Sequence, residues 1–261
     1  MPAARSTTTS PLIRYFRISR ILLHTLVGII IAASVLPLAG KVRRLQIIHW
    51  WCKRLLVAFN IRVISHWHIP QPNQPLSKTL FIANHISWVD IHALNSQVSL
   101  RFIAKSEIKS WPVFGYLVTK ANTLFIERDK RHHAARIVQV VTQSLQAGDN
   151  LCLFPEGTTT DGTEIKPFKS SLIQAALLAK ASIQPVAIRY PHPDNSINTA
   201  MAYAGETTML ESMQRVLQQK NPLIELHFLP PISTADLAGQ EFDRRALMLQ
   251  IQQLIAAKLG L

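Results

Sequence analysis

The chain has 261 residues, 48% of them apolar and only 16% charged. That is enough for one large domain, or a domain with an appendage, and less charge than the quarter usual in soluble domains. The net charge of +13 is lopsided: 11 of the 28 basic residues and none of the 15 acids lie in residues 1–89, and Asp90 is the first acid. Those bases flank long apolar stretches, so they point to an anionic lipid surface and away from nucleic acid, which calls for basic residues spread over a polar face.

Residues 1–13 are polar and expected to form a disordered tail; residues 14–60 are expected to form a membrane-associated helical segment. Residues 21–39 are apolar apart from interruptions at His24, Thr25, Gly28, Ser34 and Pro37. That length just suffices for a transmembrane helix, which takes about 20 residues. Arg14, Arg17 and Arg20 flank one side and Lys41, Arg43 and Arg44 the other. Bases on both sides give no orientation by the positive-inside rule and equally suit a helix held at the interface. Apolar character resumes after residues 37–40, which argues against a cleaved leader. Leu45, Ile48, Trp51, Leu55 and Phe59 then recur at helical spacing. Trp50 and Trp51 beside Lys53 and Arg54 suit a headgroup boundary, and packing on the protein's own core suits the same periodicity.

Pro70, Pro72 and Pro75 mark an extended link, after which the pattern changes. Apolar β-rich runs lie at 61–67, 79–83, 100–104, 123–126, 150–154, 184–189 and 223–229, and helical patterns at 88–95, 113–120, 131–146, 169–180, 206–219 and 236–259. The alternation predicts an α/β domain over 61–261, with a mixed, mostly parallel sheet of about seven strands covered by helices. Cys52 and Cys152 show neither metal spacing nor a disulfide framework, which implies free thiols in a reducing compartment. The pair His132–His133 has no second ligand pair at zinc spacing and reads as a surface helix position, so no metal is expected.

Three local patterns could carry chemistry. His85 follows the 79–83 strand, and residues at the carboxyl ends of strands in an open α/β sheet line the ligand crevice. An imidazole can take a proton near neutral pH, and a carboxylate can hold its other nitrogen. Residues five apart on one helix differ by about 140° in direction, so His85 and Asp90 meet only if His85 lies in a loop and Asp90 in the first turn. Ser87 to Asp90 also reads as a capping box, which would make Asp90 structural; the two roles are compatible. The run Phe154-Pro155-Glu156-Gly157-Thr158-Thr159-Thr160-Asp161-Gly162 offers backbone amides for an anion, or is an ordinary Gly/Asp turn. Phe125-Ile126-Glu127-Arg128 delivers an Arg that could fork onto phosphate or form a surface ion pair.

In this order, His85 with Asp90, then Phe125 to Arg128, then Phe154 to Thr158, then Gln184-Pro185-Val186-Ala187, the chain resembles the four ordered blocks of the glycerolipid acyltransferase (HxxxxD) family, whose best-known members are the 1-acyl-glycerol-3-phosphate acyltransferases. Lys105, Glu107, Pro112 and Gly115 extend the likeness between the first two blocks. The resemblance implies a membrane enzyme that transfers a fatty acyl group from acyl-CoA or acyl carrier protein to the free hydroxyl of a lysolipid. The acceptor implied is 1-acyl-sn-glycerol-3-phosphate, giving phosphatidic acid, in the synthesis of phospholipids. It implies His85 as base and Asp90 as its partner, with no acyl-enzyme and no metal or prosthetic group. Arg128, Glu156 and Gly157 match positions tied to acceptor binding, Lys105 is a further phosphate contact, and substrate-contacting Thr158 with the amides nearby would help the oxyanion. Lys166, Lys169, Ser170 and Ser171 are alternative contacts, or solvated residues at a helix start.

The departures are informative. Thr159 stands where the glycerol-phosphate enzymes usually carry Arg, a feature similar to a subset that includes lyso-ornithine lipid acyltransferases. Ala121-Asn122-Thr123 lacks the Gly common before the second block. The implied setting is the cytoplasmic face of a membrane, with the bilayer, lysolipid and acyl donor as partners and no nucleic acid. Two other classes remain open: a non-catalytic membrane-binding homologue, and an esterase, for which the sequence offers no Gly-x-Ser-x-Gly elbow.

Overall fold

The computed structural model describes residues 8–68, 76–126, 133–235 and 243–261. The chain enters through a helix, α1 (Pro11–Ile30), three residues earlier than the polar composition of 1–13 suggests. Ser10 caps α1 through its side chain, and a proline fills the first turn, where its missing N–H costs nothing. Thr9 is buried, and its hydroxyl donates to the Leu217 carbonyl at 3.0 Å, so the expected tail is structured at its C-terminal end. The helix continues through a wide turn at Ile31–Val35 and a tight one at Leu36–Leu38, where Pro37 ends it. The second helix, α2 (Lys41–Phe59), stops at Asn60, whose φ of 62° is the left-handed cap.

Beyond α2 come β1 (Arg62–Trp67), β2 (Thr79–Ala83), α3 (Val89–Asn95), β3 (Arg101–Lys105), α4 (Phe114–Lys120), β4 (Leu124–Ile126), α5 (His133–Gln146), β5 (Asn150–Leu153), α6 (Ile173–Ala179), β6 (Ser182–Arg189), α7 (Met209–Gln218), β7 (Leu223–Phe228), β8 (Ile232–Ser233) and α8 (Arg244–Leu259). The strands form one sheet in the order β1-β7-β6-β2-β5-β3-β4, with β8 also paired to β6. β6, β2, β5, β3 and β4 run parallel, while β7 and β8 are antiparallel to β6. All seven expected strands are present within a residue or two of their expected ends. β8, the eighth among the described residues, is too short to leave a pattern. The expected helix start at 169 moves to Ile173, and the Lys169 amide ahead of it donates to the Pro155 carbonyl at 3.1 Å.

β2 is buried along its whole length, as a central parallel strand requires. Its side chains alternate between two cores. Phe81 and Ala83 join Phe59, Trp88, Leu94 and Phe228 on one face; Leu80 and Ile82 join Leu145, Ile173, Met248 and Ile251 on the other. Truncating Phe81 to Ala would cost about 3–5 kcal/mol. Pro185 sits inside β6 without breaking the sheet. Its carbonyl accepts from Leu229 at 3.0 Å, so its ring nitrogen faces the same edge, where Pro230 and Pro231 separate β7 from β8 and the missing N–H leaves no partner stranded.

The α1–α2 pair is fastened to this body. Arg17 is buried, and its guanidinium donates to the carbonyls of Leu217 (3.2 Å), Gln219 (2.7 Å) and Lys220 (2.8 Å), satisfying the C-terminal end of α7. Lys41 pairs with Asp149 at 2.8 Å, and Arg101 and Ser144 hold the same carboxylate. Gly28 lets the two helices touch: a Cβ there would lie 2.5 Å from the Trp51 indole nitrogen. Cys52, Leu55, Leu56 and Phe59 of α2 are buried in the body's core, so that helix packs on the protein itself. Leu12, Tyr15, Phe16, Leu22, Leu23, Leu26 and Ile30 of α1 remain exposed. Pro11–Leu38 is long and apolar enough to cross a membrane. An exposed apolar face of this size marks a contact with lipid or another apolar partner.

Candidate active site

Five parallel strands end on one side of the sheet, and the expected site residues follow those ends. His85 comes two residues after β2, and Glu156 three residues after β5; Lys105 is the last residue of β3. Arg128 follows β4 but lies outside the described residues, as do Glu127 and His132.

Asn84 fixes where the loop after β2 goes. Its amide donates to the Ile188 carbonyl at 3.0 Å, and its oxygen accepts from the Ile188 amide at 2.8 Å, so the side chain stands in for another strand residue against β6. The chain then turns, leaving His85 in the loop and Asp90 in the first turn of α3, which is the one arrangement the spacing allows. His85 Nδ1 lies 2.8 Å from Asp90 Oδ2. The same oxygen accepts the amides of Ile86 (2.8 Å) and Ser87 (2.9 Å). Asp90 therefore does reach back as a cap, and it does so with the oxygen that holds the imidazole. The capping box is only half made, because the Ser87 side chain does not cap the helix; the Ser87 carbonyl accepts from Asp90 instead.

Asp90 is wholly buried, whereas the His85 side chain keeps 17% of its surface. A buried carboxylate must be satisfied throughout. Its other oxygen, Oδ1, receives the hydroxyl of Tyr190, just beyond β6 and itself buried. The Phe154 ring stacks on the imidazole, with centroids 3.9 Å apart and planes 10° apart. With Nδ1 turned to Asp90, Nε2 has no hydrogen-bond partner among the described residues. An imidazole so held carries its lone pair on the accessible nitrogen, the condition for a base.

The loop after β5 closes over this pair. Glu156 is buried, and both its oxygens are taken by backbone amides, Oε1 by His85 at 2.7 Å and Oε2 by Lys166 at 3.0 Å. Burial raises its carboxyl above the usual range, against the pull of those two amides. Thr160 N donates to the His85 carbonyl at 2.9 Å, and Tyr203 N to that of Ile86 at 2.9 Å. Gly157 (φ 74°) makes the turn, and its N–H is spent on the Phe154 carbonyl. At Gly162, φ is 90° and a Cβ would sit 3.2 Å from Ile86 Cδ1, so the loop lies flat against the His85 segment only with glycine there. Thr158 is exposed. The Thr159 hydroxyl donates to the Tyr203 carbonyl, and the position carries no cation. Asn122, at φ 65°, takes the left-handed place where Gly is common.

An apolar cavity adjoins the site, walled by the α1 continuation (Ala32, Leu36), α2 (Ile48), α3 (Ile91), β3 (Phe102) and α4 (Leu117). Phe102 stacks behind Phe154 at 6.0 Å, so the cavity backs onto the ring that faces His85. Burial, with the His24 charge, pushes the cavity's His92 down to about 4, so it is neutral near pH 7. Tyr190, Asn84 and this cavity left no signal in sequence spacing, because each depends on contacts across the sheet.

The residues 61–189 match the model of the Acyltransferase family. The chain is 36% identical over 225 residues to a lyso-ornithine lipid O-acyltransferase of Pseudomonas aeruginosa, covering 85% of this chain and 80% of the relative. It is 37% identical over 188 residues to a 1-acyl-sn-glycerol-3-phosphate acyltransferase of Neisseria gonorrhoeae, covering 72% and 71%. Its fold is similar to the crystal structure of the 1-acyl-sn-glycerophosphate acyltransferase PlsC from Thermotoga maritima, with a TM-score of 0.62 at 19% identity over 94% and 96% of the two chains. The histidine–carboxylate pair at the strand ends, the apolar first helix and these similarities converge: the chain belongs to the lysolipid acyltransferase family.

Proposed function

We propose that the chain transfers a fatty acyl group from a thioester donor, acyl-CoA or acyl carrier protein, to the free hydroxyl of a lysolipid, with His85 as general base. The observation that carries this reading is the 2.8 Å contact of His85 Nδ1 with the buried Asp90 carboxylate, which leaves Nε2 as the acceptor of a proton. Nε2 takes the proton of the lysolipid hydroxyl as its oxygen attacks the thioester carbonyl. Asp90 stabilises the imidazolium that forms. Collapse of the tetrahedral intermediate breaks the carbon–sulfur bond, and the thiolate recovers the proton from His85. The amides of Thr158 and Thr159 make no hydrogen bond among the described residues and are available to the developing oxyanion. The adjoining cavity is apolar and its histidine neutral, which suits a hydrocarbon chain. The scheme calls on no metal or prosthetic group.

The acceptor of this reading is 1-acyl-sn-glycerol-3-phosphate. Lys105 ends β3 on the same side of the sheet as His85, so a cation is at hand for a phosphate at the strand ends. One observation favours a second acceptor, lyso-ornithine lipid: the Thr159 hydroxyl is bound to a carbonyl and supplies no charge to the site. The exposed apolar face of α1 would lie in the lipid interface on the cytoplasmic side. The Arg17 contacts keep that helix against the body just before β7, whose start lies beside the end of β6, and so bring the strand ends toward the headgroups. A competition between the two lysolipids for one labelled acyl donor, on membranes containing the protein, decides the acceptor. Labelled phosphatidic acid supports the first reading, and labelled ornithine lipid alone replaces it with the second.

A further inference from the structure

The Asp90 carboxylate is held unevenly. Oδ2 has three donors from its own loop, His85 Nδ1 and the amides of Ile86 and Ser87, all at 2.8–2.9 Å. Oδ1 has one, the Tyr190 hydroxyl, delivered from the end of β6 a hundred residues later in the chain. Rotation about the bond to a carboxylate is soft. Three donors on one oxygen still allow the group to swing about that oxygen, and the fourth donor, on the other oxygen, fixes its plane. Tyr190 is itself fixed: its ring is buried in the core, and its carbonyl accepts from the Asn198 amide at 2.8 Å.

We infer that Tyr190 is a positioning residue for the acyl transfer: its hydroxyl locks the plane of the Asp90 carboxylate and so sets both the orientation and the proton affinity of His85. The inference rests on the reading of His85 as general base. Burial and the neighbouring Asp90 charge push the phenol well above its ordinary range, so it stays protonated and donates throughout the working pH. A donor on Oδ1 draws negative charge away from Oδ2 and weakens the pull of the carboxylate on the imidazole. Without it, charge gathers on Oδ2, the imidazolium is held more tightly, and His85 becomes the stronger base. Among the described residues, the other titratable groups facing the pair are Glu156, from the loop after β5, and the Cys152 thiol of β5, which burial and Asp90 push well up. The substitution leaves both in place.

The test is Tyr190→Phe, which removes one oxygen and keeps the ring. Loss of one hydrogen bond to a charged group is worth roughly ten-fold in rate. A kcat lower by about that factor is expected, with the acceptor KM changed less than about two-fold. The acid limb of the pH–rate profile is expected to move upward by about half a unit or more. The position of that limb does not depend on how much of the enzyme is folded, so it survives a loss of stability. In an Asp90→Asn background the Tyr190 hydroxyl can still accept from the new side-chain NH₂, but no carboxylate charge remains to redistribute, so the same substitution is expected to leave the acid limb where it is. An unmoved acid limb, or an equal shift of it in both backgrounds, would overturn the inference while an inactive His85→Ala left the base reading standing. An active His85→Ala enzyme would overturn the base reading and this inference together.

Discussion

Asp90 occupies two roles, and two substitutions separate them. In Asp90→Asn the side chain keeps its shape. With its oxygen placed at Oδ2 it still accepts from His85 Nδ1 and the amides of Ile86 and Ser87. Its NH₂ then faces Tyr190, whose hydroxyl oxygen can accept. Only the negative charge and the bond donated by Tyr190 are lost, so stability should fall by about 1–2 kcal/mol. Catalysis should suffer far more, because nothing offsets the imidazolium; kcat is expected to drop by roughly 10²–10⁴-fold. Asp90→Ala instead strands two buried amides and a buried phenol, each worth about 1–3 kcal/mol and not fully additive, so about 3–6 kcal/mol is lost. That is a large part of a stability of about 5–15 kcal/mol. Thermal unfolding and acyl-transfer rates on the same preparations provide both numbers. Asp90→Asn with wild-type rates would refute the charge argument. Asp90→Asn as unstable as Asp90→Ala would refute the account of the cap.

Glu156→Gln leaves one of the His85 and Lys166 amides facing a donor, which costs about 1–2 kcal/mol after relief of the buried charge. It should lower kcat by displacing His85; a raised acceptor KM with unchanged melting temperature would instead make Glu156 an acceptor ligand, as the family resemblance implies. For Asp149, burial alone would raise the carboxyl, but Lys41, Ser144 and Arg101 hold it below its usual range. A depressed carboxylate contributes stability that is full above its unfolded value of about 3.9 and fades as pH falls through the lower folded value. Asp149→Asn is expected to cost about 2–3 kcal/mol near neutrality, mostly from the stranded Arg101, since Lys41 is half exposed. Melting curves between pH 7 and 3 should show the gap to wild type closing on acidification; a gap independent of pH would contradict the pairing.

The strands and the histidine–carboxylate pair were legible because they are local. β2 announces itself as a run of apolar residues, and five-residue spacing already restricts His85 to a loop and Asp90 to a first turn. What the sequence hid is long-range. Asn84 bonds Ile188 and Asp90 bonds Tyr190 across a hundred residues, and no periodicity encodes such a contact. The start of α1 was hidden for the same reason: polar residues 8–10 look like a tail until Thr9 meets the end of α7. Glu156 was legible as a family position, and its occupation by two backbone amides emerges only from the fold.

The most direct measurement is acyl transfer from a labelled thioester donor to lysolipid, comparing wild type with His85→Ala at matched folded protein in the same membranes. The account predicts that product formation falls by at least about 10²-fold in protein that remains folded, its melting temperature lowered by loss of the Asp90 bond and the Phe154 stacking while the backbone clamps on the loop are kept. Transfer by His85→Ala at the wild-type rate would contradict it.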